Sequence, residues 1–146
     1  MPPGTGDAQL TMAQRVALTG AVIVSTPQDL ALLDARKGLN MFKRVEVPVL
    51  GIIENMSYFL CPHCGERTEI FTHGGARKAA GQMGVDFLGE IPLEMSIREG
   101  SDTGRPVVAS RQDSPQANAY HAIADALWEK VAEGAGQKAA PEIIVE

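Results

Sequence analysis

The sequence predicts an α/β fold, a parallel sheet with helices on both faces, and three observations carry that expectation. Apolar runs at Ala21–Ser25, Val47–Asn55 and Val85–Ile91 lack the polar alternation of a half-exposed strand. Stretches with helical spacing separate these runs, and Gly or Pro punctuates most of the joins. Sheets of this kind bind ligands beyond the carboxyl ends of their strands. The residues to watch are therefore Thr26-Pro27, Asn55 and Pro92-Leu93.

In chain order, Met1 to Asp7 is loop chemistry with no strand before it, which suggests an upstream part. Ala8 to Leu18 places Leu10, Ala13, Val16 and Ala17 at helical spacing, with Asp7 as N-cap and Gly20 as stop. After the first strand, Asp29 caps a helix to about Arg44, with Leu30, Leu33, Leu39 and Phe42 for its core face. Pro48 sits near the start of the second strand, where a missing donor is tolerable. Met56 to His73 reads as a cysteine loop, with Thr68 to Phe71 as a short returning strand. A helix over Ala76 to Met83 is stopped by Gly84, and after the third strand comes a short helix near Met95 to Glu99. Gly100 to Arg105 is rich in turn residues. Ser114-Pro115 opens a last helix through Glu133, with Trp128 and Tyr120 as its core contacts. Residues 134–146 are Ala- and Gly-rich and read as a flexible tail, leaving residues 1–133 as one domain with the excursion 56–73.

A chain of 146 residues is long enough to bury a core without staples. Its net charge of -5 and the lack of a Lys/Arg stripe argue against binding nucleic acid through phosphate neutralisation. No apolar run approaches the roughly 18 residues of a membrane span, and the chain reads as cytoplasmic.

The only two cysteines stand at Cys61-Pro62-His63-Cys64-Gly65. At this spacing they make a poor structural disulfide. They suit one edge of a metal or iron–sulfur site, which normally takes four protein ligands, so one chain supplies half. A thioredoxin-like dithiol and ordinary packing are the competing readings; the first wants its leading Cys at a helix N-terminus, and Gly65 to Thr68 is a poor helix start. Within the metal class zinc rivals a cluster, either on four thiolates across a dimer or on a Cys₂His₂ set completed by His63 and His73. Asp34, Arg36 and Lys37 read as a solvated helix face.

Six strings in order carry a resemblance: Pro2 to Asp7, Ser25-Thr26-Pro27-Gln28, Asp34-x-Arg36-Lys37-Gly38, Glu54-Asn55-Met56-Ser57, Cys61 to Gly65, and Ile91-Pro92-Leu93. Together they resemble the Mrp/ApbC family of P-loop ATPases, iron–sulfur cluster carriers related to MinD and ParA, from Pro2 to about Val131. The resemblance implies a homodimer in which two C-x-x-C pairs bridge a [4Fe–4S] cluster, passed to apo iron–sulfur proteins under the control of ATP and Mg²⁺. It implies a switch role for Gly4 near the γ-phosphate, an adenine-reading role for Asn55, and packing of Pro92 and Leu93 against the base. An amide suits that reading because it offers donor and acceptor together.

The departure is equally specific. No G-x-x-x-x-G-K-[ST] occurs in the chain, and the expected Walker B aspartate is missing. The chain is expected to be the C-terminal portion of the family fold, an incomplete P-loop NTPase-like sheet with exposed apolar edges, poor solubility and no useful ATP hydrolysis alone. The alternative from another class is a zinc-binding, non-catalytic interaction module.

Overall fold

The computed structural model describes residues 7–134. In order these form α1 (Asp7–Arg15), β1 (Ala21–Ser25), α2 (Asp29–Arg44), β2 (Val49–Leu60), β3 (Arg67–Thr68), α3 (Gly75–Met83), β4 (Phe87–Leu93), α4 (Met95–Asp102), α5 (Val107–Ser110) and α6 (Pro115–Gly134). Strand β2 is central. β1 pairs with it in parallel from Ala21 opposite Val49 to Ser25 opposite Glu54, and β4 pairs in parallel on its other side. Beyond that core β2 continues and takes up β3 antiparallel, with Phe59 opposite Thr68 and Leu60 opposite Arg67.

The apolar run of β2 is explained by burial on both faces. Ile52 packs with Ile23, Leu32, Leu39, Phe42 and the alanines of α3, whereas the next residue, Ile53, joins Leu88, Ile91 and Ile123 of α6. Successive strand residues point to opposite faces, so two adjacent isoleucines serve two cores. The small side chains Ala76, Ala79 and Ala80 let α3 lie close to the sheet. At its start a Cβ on Gly75 would lie 2.6 Å from the Pro27 carbonyl oxygen, which leaves room for no side chain.

Several sequence expectations are revised. Helix α1 ends at Arg15, short of Leu18, and Gln28 holds the N-cap position of α2 while Asp29 stands in its first turn. Leu39 and Phe42 face the core as expected, but Leu30 and Leu33 are 76% and 54% exposed. The buried stripe is Leu32, Ala35, Leu39 and Phe42, whose spacing matches the helical repeat that Leu30 and Leu33 fall outside. On β1, at the edge of the sheet, Val24 is 58% exposed and lines a groove of about 660 Å³ with Val22, Ala31 and Phe42. The expected apolar edge is therefore present among the described residues.

Pro92 and Leu93 lie inside β4 because that strand ends at Leu93, beyond the Ile91 end read from the sequence, and it starts at Phe87, later than Val85. The stretch after Gly100 contains the helix α5, unforeseen because it is only four residues long. Ser114-Pro115 opens α6 as expected, with Pro115 at the first helical position, and the structure adds a cap in which Ser114 Oγ accepts the Ala117 amide at 3.1 Å. Tyr120 packs beside Ile123 and burial holds its phenol above the usual value, but Trp128 is 73% exposed and makes no core contact of the kind expected. Gly4, with the loop before Asp7, and the tail from 135 lie outside the described residues. No helix among the described residues is long and apolar enough to cross a membrane.

The revised register of α2 is directly testable. Leu39 is 1% exposed, so Leu39→Ala should lower unfolding free energy by about 2–5 kcal/mol in urea titration, and Leu33→Ala by no more than about 0.5 kcal/mol. Equal losses would contradict the stripe.

Candidate metal centre on the cysteine hairpin

The expected loop at 56–73 is a β-hairpin whose outgoing arm is the continuation of β2. Residue propensity ends the strand at Asn55 because Asn is a poor strand residue, but β2 kinks there and goes on to Leu60. Met56 has φ 55, and the register with β4 shifts between Asn55 and Phe59. Such a bulge bends a strand and re-aims the residues beyond it. The Asn55 Oδ1 accepts the Met56 amide at 3.0 Å, which supports the kink locally.

At the tip, the Cys61 amide donates to Glu66 O at 2.9 Å and the Gly65 amide to Cys61 O at 2.8 Å. Gly65, at φ 72, supplies the left-handed conformation that closes the turn. Both thiols are free; Cys61 is half-buried and Cys64 exposed. The backbone amide of Cys64 first, then that of His63 and the Cys64 side chain, hold the Cys61 thiol below its usual pKa against a smaller opposing effect of burial. Backbone donors aimed at sulfur favour the thiolate, which is the metal-ligating form. Cys61 comes directly after a strand and a turn occupies the next residues, so the helix N-terminus that a thioredoxin-like dithiol requires is not present here.

The root of the hairpin is fastened by Glu54, which has no exposed surface. Its Oε1 accepts the Ser57 hydroxyl at 2.6 Å and its Oε2 the Ala76 amide at 2.7 Å. One carboxylate thus joins β2, the start of the hairpin and the first turn of α3, where the helix dipole favours negative charge. In the sequence, Glu54 and Ser57 stand within a motif but show no task of their own. The signal available is an acidic residue closing an otherwise apolar strand; the partner 22 residues on is visible only in three dimensions.

The flank of the hairpin carries a charged network. Arg67 stacks on Tyr58 with its guanidinium carbon 4.0 Å from the ring centre, and its Nη2 lies 3.4 Å from Glu90 Oε2 and 3.2 Å from His73 Nδ1. His73 is also 3.6 Å from Glu69 Oε1. Among the described residues, one group of potential metal ligands lies within 4.8 Å of one another, Glu54 with His73 and Glu90, and neither cysteine belongs to it. The Cys₂His₂ arrangement considered from the sequence is therefore not formed: His73 Nδ1 faces Arg67 and Glu69, and His73 groups with Glu54 and Glu90 and not with the thiols. Asp34, Arg36 and Lys37 are exposed as expected, with Lys37 paired to Asp34 at 3.1 Å and Arg36 bonded to Gln82.

Of the remaining candidate positions, Asn55 stands opposite Ile91 and Leu93 opposite Phe59 in the β2–β4 register, which brings Asn55, Pro92 and Leu93 to one end of the sheet beside the hairpin root. Asn55 is half-buried and lies within β2, Pro92 is buried, and Leu93 is half-buried.

Residues 1–128 match the family model described as ParA, the NUBPL iron-transfer P-loop NTPase. The chain is 62% identical over 123 residues to the iron–sulfur cluster transfer protein NUBPL of Dictyostelium discoideum, covering 84% of this chain and 38% of that protein. It is 50% identical over 137 residues to an iron–sulfur cluster carrier protein of Pyrococcus abyssi, covering 94% of this chain and 46% of that one. The chain thus spans less than half the length of these relatives. Among solved structures, a nucleotide-binding protein from Archaeoglobus fulgidus in complex with ADP superposes with a TM-score of 0.65 at 43% identity, over 80% of this chain and 46% of its own.

Two measurements check the site. Glu54→Ala leaves the Ala76 amide and Ser57 hydroxyl without their buried acceptor and should cost about 2–5 kcal/mol of stability by urea unfolding. A loss under about 0.5 kcal/mol would contradict the role of the carboxylate. In a Cys64→Ser chain, which keeps the backbone amides, the pH midpoint for iodoacetamide alkylation of Cys61 should stay below that of an unstructured cysteine peptide measured alongside; a midpoint at or above the peptide's would show that the amides do not act on sulfur.

Proposed function

This chain belongs to the NUBPL-type iron-transfer P-loop NTPases of the ParA family, and on that premise we propose that it binds and transfers an iron–sulfur cluster, with Cys61 and Cys64 as the ligands. The observation that carries the reading is the paired thiols at the tip of a braced hairpin, one of them favoured as thiolate by backbone amides. Two sulfurs are half of the usual four, so the other half comes from the Cys61 and Cys64 of a second copy, and a [4Fe–4S] cluster bridges the homodimer.

The cluster is cargo. Its delivery to an apo iron–sulfur protein is ligand exchange: a recipient thiolate forms an iron–sulfur bond as the bond to a carrier cysteine breaks, and the recipient's proton is left for the released thiolate. No electron changes hands. Exposed Cys64 is the ligand a recipient reaches first, while half-buried Cys61 holds on.

Nucleotide control belongs to a longer form. We read residues 1–133, with the hairpin excursion, as the C-terminal part of the family domain, and α6 runs one residue past that bound, to Gly134. Asn55, Pro92 and Leu93 meet the adenine of ATP at the sheet end they share, and Gly4 approaches the γ-phosphate. The phosphate cradle, its lysine and the Mg²⁺-binding hydroxyl have no counterpart in these 146 residues, so catalysis of hydrolysis is not assigned to them. Two unpaired cysteines suit a reducing compartment, which the cytoplasm provides.

Anaerobic reconstitution with iron and sulfide should give iron–sulfur charge-transfer absorbance, about four iron atoms per two chains, and a shift to a dimer on gel filtration. Cys61→Ala or Cys64→Ala should each abolish it. Retention of a cluster by either variant would refute the assignment, and zinc bound without sulfide would replace it with a zinc-binding, non-catalytic interaction module.

A further inference from the structure

We infer that Arg67 is the positioning residue of the cysteine pair: its guanidinium docks the return strand of the hairpin onto β4 and thereby sets the direction in which Cys61 and Cys64 face. The inference deepens the cluster-binding reading and rests on it for its purpose, though the docking itself stands on contacts alone.

Strand β3 is two residues long, and only the pairs Phe59–Thr68 and Leu60–Arg67 join it to the outgoing arm. A two-stranded hairpin of that size is marginal in water. Side chains must supply the rest, and Arg67 is the residue with contacts in both directions. Within the hairpin its guanidinium lies over the Tyr58 ring at 4.0 Å. Outward it reaches Glu90 Oε2 at 3.4 Å and His73 Nδ1 at 3.2 Å, while its Nε lies 3.9 Å from Glu69 Oε1.

Glu90 is the decisive partner. It stands opposite Glu54 in the β2–β4 register, so two carboxylates occupy one rung of the sheet. Like charges on a rung repel, and cations must answer them. Two arginines do so: Arg67 from the hairpin, and Arg77 from α3, 3.7 Å from Glu90 Oε1 and stacked on Phe87 at 4.2 Å. The Glu90 side chain is 18% exposed, so its pairing is screened less than that of a fully solvated pair. A planar guanidinium can stack on Tyr58 and bond Glu90 at once; an ammonium offers the charge without the plane. Glu90 also precedes Pro92 on β4, so the strand that anchors the hairpin is the one carrying the proposed adenine segment.

The test is hydrogen exchange on the full chain without iron, and then cluster reconstitution. Arg67→Ala and Glu90→Gln should each speed exchange of the Cys61 and Gly65 amides about tenfold, while the Leu39 amide keeps its protection. Arg67→Lys should recover part of the protection. The double variant should be no faster than either single one, because both remove the same link. Reconstituted Arg67→Ala should lose its cluster to a chelator faster than the parent chain. Unchanged hairpin exchange in Glu90→Gln, or effects that multiply in the double variant, would overturn the inference. If the parent chain takes up no cluster while the exchange pattern holds, the cluster reading fails and the docking role of Arg67 stands.

Discussion

A carboxylate with no exposed surface, at the point where the central strand turns into the cysteine hairpin, is the constraint on which the rest of the site depends. Burying Glu54 is costly unless its oxygens are satisfied, and they are satisfied by the Ser57 hydroxyl and the Ala76 amide. That requirement fixes three things at once: the exit path of β2, the seat of α3, and the rung on which Glu90 lies opposite. Gly75 belongs to the same arrangement, since a side chain there would strike the Pro27 carbonyl and lift the helix start away from the carboxylate.

From that anchor the hairpin projects with a graded rigidity. Its root is pinned inside the protein, its middle is braced by the stack of Arg67 on Tyr58, and its tip is closed by two backbone bonds and a left-handed glycine. The two sulfurs therefore differ. Cys61 continues a strand and receives backbone donors; Cys64 stands outside with free approach. The proposed carrier role needs both properties, because a cluster must be held and must also be surrendered. A binding site in which both ligands were enclosed would serve the first need only.

Burial on the two faces of the sheet also explains where functional side chains can sit. Ile52 and Ile53 commit the middle of β2 to two cores, leaving polar chemistry to the strand's carboxyl end, where Glu54, Asn55 and the hairpin lie. Parallel packing brings the end of β4 to the same place, so the proposed adenine segment and the cysteine pair share a border through Phe59 opposite Leu93.

Much of this was legible in the residues themselves. The strand Ala21–Ser25, the helix stopped by Gly84, the Pro115 start of the last helix and the choice of Cys61 and Cys64 as candidate ligands come from local chemistry: apolar runs, a glycine stop, a Ser-Pro opening and a C-x-x-C pair before glycine. What only the tertiary structure decided are matters of register and distant partnership. Leu30 and Leu33 are as apolar as Leu32, and which of them faces the core depends on how α2 is rotated against the sheet. Asn55 reads as a strand end, yet β2 continues because neighbouring strands on both sides supply the backbone bonds that propensity alone does not. Glu54 and Arg67 look like ordinary charged residues until folding sets Ala76 and Glu90 beside them. A sequence states which chemistry is available; the partners that fix its geometry are brought together by the fold, and for the cysteine hairpin those partners are 22 and 23 residues away.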